Sequence, residues 1–152
     1  MSIPRIWLNG TLIPTDEARI APTDRGLLLA DGLFETLLAR AGRIIRLDRH
    51  LMRLLEGASV MQIKPPYESR TLRAAARDTL EANGLATNDR ASLRMTLTRG
   101  AAGRGVALPQ DPTPTLMISA AAAPAPPAGL SVMVSSVSKL ATSPASPLKT
   151  LN

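Results

Sequence analysis

Four places along the chain carry side chains suited to chemistry. A primary amine attacks a carbonyl carbon and forms a Schiff base once a low-dielectric or cationic setting strips its charge. Lys149, in the segment Ser146-Pro147-Leu148-Lys149-Thr150-Leu151-Asn152, is such an amine; by position alone it reads as a solvated cation near a chain end, the commoner case for a lone lysine there. Arg53, in Arg49-His50-Leu51-Met52-Arg53-Leu54-Leu55, offers a planar guanidinium that grips a phosphate or carboxylate in bidentate fashion. The run Thr98-Arg99-Gly100-Ala101-Ala102-Gly103-Arg104-Gly105 combines glycines, which let a backbone approach a ligand closely, with two further guanidinium groups at Arg99 and Arg104. No Lys-Ser/Thr pair follows these glycines, so this is not a nucleotide-binding P-loop. The fourth place is Asp31-Gly32-Leu33-Phe34-Glu35-Thr36, which holds the only Phe of the chain.

The elements that would position these groups follow from periodicity. Ile6-Trp7-Leu8 and Thr11-Leu12-Ile13 flank Asn9-Gly10, a strong hairpin signal. Asp24-Arg25-Gly26 reads as a turn, Leu33 to Arg40 as a buried strand, Ala41-Gly42 as a turn and Arg43 to Arg46 as a second strand. Residues 47–60 predict a helix, because Leu47, Leu51, Leu54, Leu55 and Ala58 fall on one stripe. Arg53 lies off that stripe. A second helix is expected from about Glu68 to Asn83, stopped by Asn83-Gly84. Strands are expected over Ala91 to Thr98, Thr115 to Ala121 and Leu130 to Val137, and a loop over Ser143 to Pro147. The fold class is α+β.

Composition narrows the function. The chain has 152 residues, with 18 Lys and Arg against 12 Asp and Glu, and a net charge of +6. That excess permits an anionic partner and leaves open a small basic anion-binding or nucleic-acid-binding module. Aromatic residues amount to 2%, which weighs against base stacking on single-stranded nucleic acid. No cysteine is present and His50 is the only histidine, so disulfides, thiolate metal sites and His-rich metal sites are excluded. No run approaches ~18 apolar residues, so neither a membrane span nor a membrane partner is expected, and the cytoplasm is the default location.

Taken in order, the motifs resemble one family. The string DRGLLLADGLFETLLARAGRIIRLDRHLMRL is similar to the opening of class IV aminotransferases, also called fold type IV pyridoxal-phosphate (PLP) enzymes. LTRGAAGRG resembles that family's RG-containing loop, and SPLKTLN its catalytic-lysine segment. The resemblance runs from about Trp7 to Asn152. It implies pyridoxal 5'-phosphate as cofactor, Lys149 as the residue that holds it through a Schiff base and then moves the proton, and Arg53 as the phosphate ligand. It further implies that Phe34 lines the substrate pocket and that Arg99 and Arg104 belong to the substrate loop. Metal is not implied.

The same resemblance implies an organisation. Residues 1–120 would form the small N-terminal domain, 121–129 a Pro/Ala-rich linker, and 130–152 the start of a larger cofactor-binding domain whose remainder lies outside this chain. The expected activity is transfer of an amino group between an amino acid, D- or branched-chain, and a 2-oxo acid, in a homodimer that does not bind nucleic acid. The alternative within the family is an aminodeoxychorismate lyase releasing pyruvate and 4-aminobenzoate. Val106 stands where D-amino-acid aminotransferases carry a His and where many such lyases carry a Tyr. A non-catalytic fragment is the alternative of another class.

Overall fold

The computed structural model describes residues 3–136 and 147–151. Six strands form one antiparallel sheet, and helices cover one of its faces. In chain order the strands are β1 (Arg5–Leu8), β2 (Thr11–Pro14), β3 (Gly32–Arg40), β4 (Arg43–Ile44), β5 (Ala91–Ala101) and β6 (Thr113–Ala122). The helices are α1 (Arg25–Leu29), α2 (Leu47–Val60) and α3 (Ser69–Ala82). The sheet order is β2-β1-β6-β5-β3-β4. This is the α+β class that the sequence predicts.

Local sequence accounts for most of these elements. β1 and β2 turn at Asn9 and Gly10, which adopt φ of 47° and 99°. Positive φ at both central residues is the turn whose twist matches a hairpin. In β3, Leu33, Leu37 and Ala39 are buried, as the period of two demands for one face of a strand. They meet Leu93, Met95 and Leu97 of β5 across the register Leu33↔Leu97, Glu35↔Met95 and Leu37↔Leu93. Leu116 and Ile118 of β6 extend the apolar face, and Leu51, Leu54 and Ala58 of α2 with Leu72, Ala76 and Leu80 of α3 close over it. Each fully buried leucine contributes roughly 1.5–3 kcal/mol, so this face is the main source of cohesion.

Several elements depart from the sequence expectation. Asp24-Arg25-Gly26 is not an isolated turn; it opens the short helix α1, with the Asp24 side chain accepting a hydrogen bond from the Gly26 amide. The strand expected over Arg43 to Arg46 stops at Ile44, because Arg46 takes a left-handed conformation at the start of α2. β5 runs three residues past Thr98, through a register shift against β6 between Thr98 and Ala101. Gly100, at φ 89°, makes that shift possible. Ala121 and Ala122, at the start of the expected Pro/Ala-rich linker, belong to β6.

The alternation of Leu130, Val132 and Val134 predicts a strand, but 130–136 is irregular and exposed. Among the described residues none of the six strands pairs with it. Val137 and most of the loop expected over Ser143 to Pro147 lie outside the described residues.

Candidate active site

β3 organises the site from both of its ends. Its C-terminal half pairs with β4, and its N-terminal half pairs with the segment 149–151. The Phe34 amide donates to the Lys149 carbonyl at 3.0 Å, and the Leu151 amide donates to the Gly32 carbonyl at 3.0 Å. Gly32 allows this approach. A Cβ there would stand 2.5 Å from the Leu97 carbonyl oxygen and 2.8 Å from a Leu151 methyl. The pairing brings Lys149 beside Phe34 and Glu35, although it is more than a hundred residues away in sequence.

Glu35 is the hub. Its side chain is 1% exposed and lies on the core face of β3 between Leu33 and Leu37. A carboxylate there needs compensation, and α2 supplies it. Arg53 donates through Nε to Oε1 and through Nη2 to Oε2, both at 2.5 Å. His50 Nδ1 lies 2.7 Å from Oε2, and Lys149 Nζ lies 4.0 Å from the same oxygen. Burial pushes the Glu35 carboxyl upward. The hydrogen bonds from Arg53 and His50, with the charges of Arg53 and Lys149, outweigh it and hold Glu35 below the ordinary glutamate range. In return the Glu35 hydrogen bond strengthens the charged form of Arg53.

Arg53 keeps 52% of its side chain exposed. With Arg46, Arg49 and His50 it lines a cavity of about 200 Å³. Four cationic or imidazole side chains around one small cavity make a setting for an anion. The Phe34 ring, next along β3, lies close to two cations: the Arg94 guanidinium carbon is 3.9 Å from the ring centroid and Lys149 Nζ is 5.0 Å from it.

A second cluster holds the glycine-rich loop. Asp31 accepts from Arg99 Nε at 2.8 Å, Arg99 Nη2 at 3.0 Å and Arg25 Nε at 2.7 Å. Burial raises the Asp31 carboxyl, and the two arginines more than reverse this. Arg99 also donates to the carbonyls of Met61 and Gln62, at the end of α2. At 4% exposure, its guanidinium is turned inward and occupied by protein groups. Arg25 donates to the carbonyls of Gly105, Val106 and Ala107 and so pins the loop. Arg104 is exposed on that loop.

The structure therefore brings Lys149, Arg53 and Phe34 together around Glu35, and does not bring Arg99 into that group. Glu35 and His50 were not among the residues that sequence nominated. The signal was present in the alternation of Leu33, Glu35, Leu37 and Ala39, which assigns a charged residue to a buried face, where it must be paired. Among the described residues no group of three or more His, Cys, Asp and Glu could hold a metal ion. No helix among them is long and apolar enough to cross a membrane.

Known proteins share this framework. A family profile described as Amino-transferase class IV matches residues 32–152. The chain is 31% identical over 102 residues to a putative branched-chain-amino-acid aminotransferase of Methanocaldococcus jannaschii, covering 67% of this chain and 34% of that protein. It is 28% identical over 105 residues to the D-alanine aminotransferase of Staphylococcus haemolyticus, covering 69% and 36%. In structure it is similar to 4-amino-4-deoxychorismate lyase from Pseudomonas aeruginosa, with a TM-score of 0.63 and 35% identity over 80% of this chain and 41% of that one. The chain thus spans about a third of the length of the curated relatives it matches. With the profile running from the start of β3 to the chain's last residue, through every group gathered around Glu35, the chain belongs to the class IV aminotransferase family, whose members are PLP-dependent.

Proposed function

We propose that this chain contributes the lysine and the phosphate grip of a PLP-dependent aminotransferase. The reaction moves an amino group between an amino acid, D- or branched-chain, and a 2-oxo acid. The observation that carries the reading is the meeting of Lys149 and Arg53 on Glu35, two residues from opposite parts of the sequence with complementary chemistry. The donor set fits the cofactor: an amine for its carbonyl, and the cavity lined by Arg46, Arg49, His50 and Arg53 for its phosphate. When bound, the cofactor supplies an electron sink that stabilises negative charge at the substrate α-carbon.

In this reading Lys149 holds the cofactor and then carries the proton to and from the substrate α-carbon. Arg53 holds the phosphate. Phe34 forms an apolar wall of the substrate pocket, and Thr96, its cross-strand partner, has a buried hydroxyl with no hydrogen-bond partner on that side. Arg104, exposed on a loop that Arg25 immobilises, is assigned to the substrate carboxylate in preference to the inward-turned Arg99. Residues 1–120 act as the small domain and 130–152 as the opening of the cofactor-binding domain, in a cytoplasmic homodimer.

The second reading is an aminodeoxychorismate lyase. It draws on the 35% identity to the Pseudomonas enzyme. Cofactor and lysine are the same in both, so substrate decides. The purified protein, supplied with PLP, is assayed with a branched-chain amino acid, with D-alanine and with aminodeoxychorismate. Amino transfer to a 2-oxo acid from either amino acid is expected. Turnover of aminodeoxychorismate alone replaces the transferase reading with the lyase.

A further inference from the structure

Arg53 poses a problem of placement. An arginine half exposed on a helix, with a long flexible side chain, has several rotamers available, and a phosphate grip needs one. The structure supplies a restraint on the inner side. Glu35 occupies Nε and Nη2 of Arg53, which leaves the Nη1 edge of the guanidinium for a second partner. Glu35 itself is 1% exposed on a strand whose neighbours Leu33 and Leu37 are buried, so its carboxylate is fixed by the core. His50, one turn before Arg53 on α2, occupies Oε2 at 2.7 Å and completes the fixation.

We propose that Glu35 is a positioning residue, which aims the free edge of Arg53 into the cavity that Arg46, Arg49 and His50 share. The proposal deepens the reading of Arg53 as the phosphate ligand and rests on it. Glu35 touches no substrate in this account; it acts through Arg53. The charged groups around it are consistent with that role. Arg53 and His50 from α2 bond it directly, Lys149 stands at 4.0 Å, and Arg94 lies over the Phe34 ring. Arg46 and Arg49 line the same cavity without bonding Glu35. Glu35 is the acid that accounts for the orientation of Arg53, and its lowered pKa keeps it charged through the neutral range.

The test separates phosphate from the rest of the cofactor. Affinities for PLP, for pyridoxal, which lacks the phosphate, and for inorganic phosphate are measured on the purified protein and on Glu35→Gln, Arg53→Lys and the double variant. Glu35→Gln is expected to weaken PLP and inorganic phosphate by roughly ten- to a hundredfold, the scale of one misplaced charge-assisted hydrogen bond, and to affect pyridoxal, which meets Glu35 only through Lys149 at 4.0 Å, far less. Because Glu35 acts through Arg53, the double variant should lose no more than Arg53→Lys alone. Losses that multiply, or an equal loss for pyridoxal and PLP, overturn the proposal.

If Glu35→Gln fails to fold, the Nε–H resonance of Arg53 in the unsubstituted protein, assigned by its disappearance in Arg53→Lys, takes its place. Slow exchange with solvent supports the proposal, and a freely exchanging, averaged resonance overturns it. Phosphate affinity that ignores Arg53→Lys would instead refute the reading of Arg53 on which the proposal stands.

Discussion

Two carboxylates, the largely enclosed Asp31 and the buried Glu35, are each held below the ordinary pKa by arginines that outweigh burial. For Asp31 the consequence for stability has a definite sign. A carboxyl whose folded pKa is lowered contributes stability above its ordinary value and loses that contribution as pH falls through the folded value. Asp31→Asn leaves Arg25 and Arg99, at 5% and 4% exposure, without their shared negative charge and with one acceptor oxygen in place of two. A destabilisation of about 3 kcal/mol is expected near neutral pH, the scale of a broken buried ion pair. In urea unfolding followed across pH, the gap between the two proteins should narrow below roughly pH 4. A gap that does not depend on pH would assign the loss to packing alone. Asp31 and Glu35 both sit in a string that sequence singled out, yet neither was assigned a role. Strand alternation fixes which face a side chain joins, but the partners that make a buried charge tolerable come from α2, β5 and α1, far away in sequence.

At the scale of elements, α2 was legible to the residue, because five apolar positions on one stripe leave a single amphipathic solution. β3 and the opening hairpin were legible for similar reasons. The extension of β5 past Thr98 was not, since it depends on Gly100 permitting a register shift against β6. That dependence is testable. A Cβ at position 100 would stand 1.8 Å from the Thr113 carbonyl oxygen, at a φ of 89° that L side chains rarely adopt. Gly100→Ala is expected to cost about 2 kcal/mol or more, combining overpacking with backbone strain. Hydrogen exchange should localise the loss to the pairing of β5 with β6. Unchanged protection there would show that the bulge tolerates a side chain. The segment 130–136 marks the limit of pattern reading: its alternation is strand-like, yet it joins none of the six strands of the sheet.

Over the whole molecule, three of the 18 basic side chains turn to acids within the fold. Arg25 and Arg99 serve Asp31 and Arg53 serves Glu35, so these three have structural partners of their own. Arg46 and Arg49 beside His50, and Arg104 on its loop, are among the basic side chains that remain outward. Family membership was legible from ordered motifs, whereas their convergence on Glu35 required the fold. The central claim is that Lys149 is the cofactor's anchor, and one experiment addresses it without any substrate. The purified protein is incubated with PLP, reduced with borohydride, digested and mapped by mass spectrometry. The reduced PLP mass is predicted on the peptide containing Lys149, and Lys149→Ala should abolish it. Label at Lys64 or Lys139, the other two lysines of the chain, or label that survives Lys149→Ala, would contradict the account.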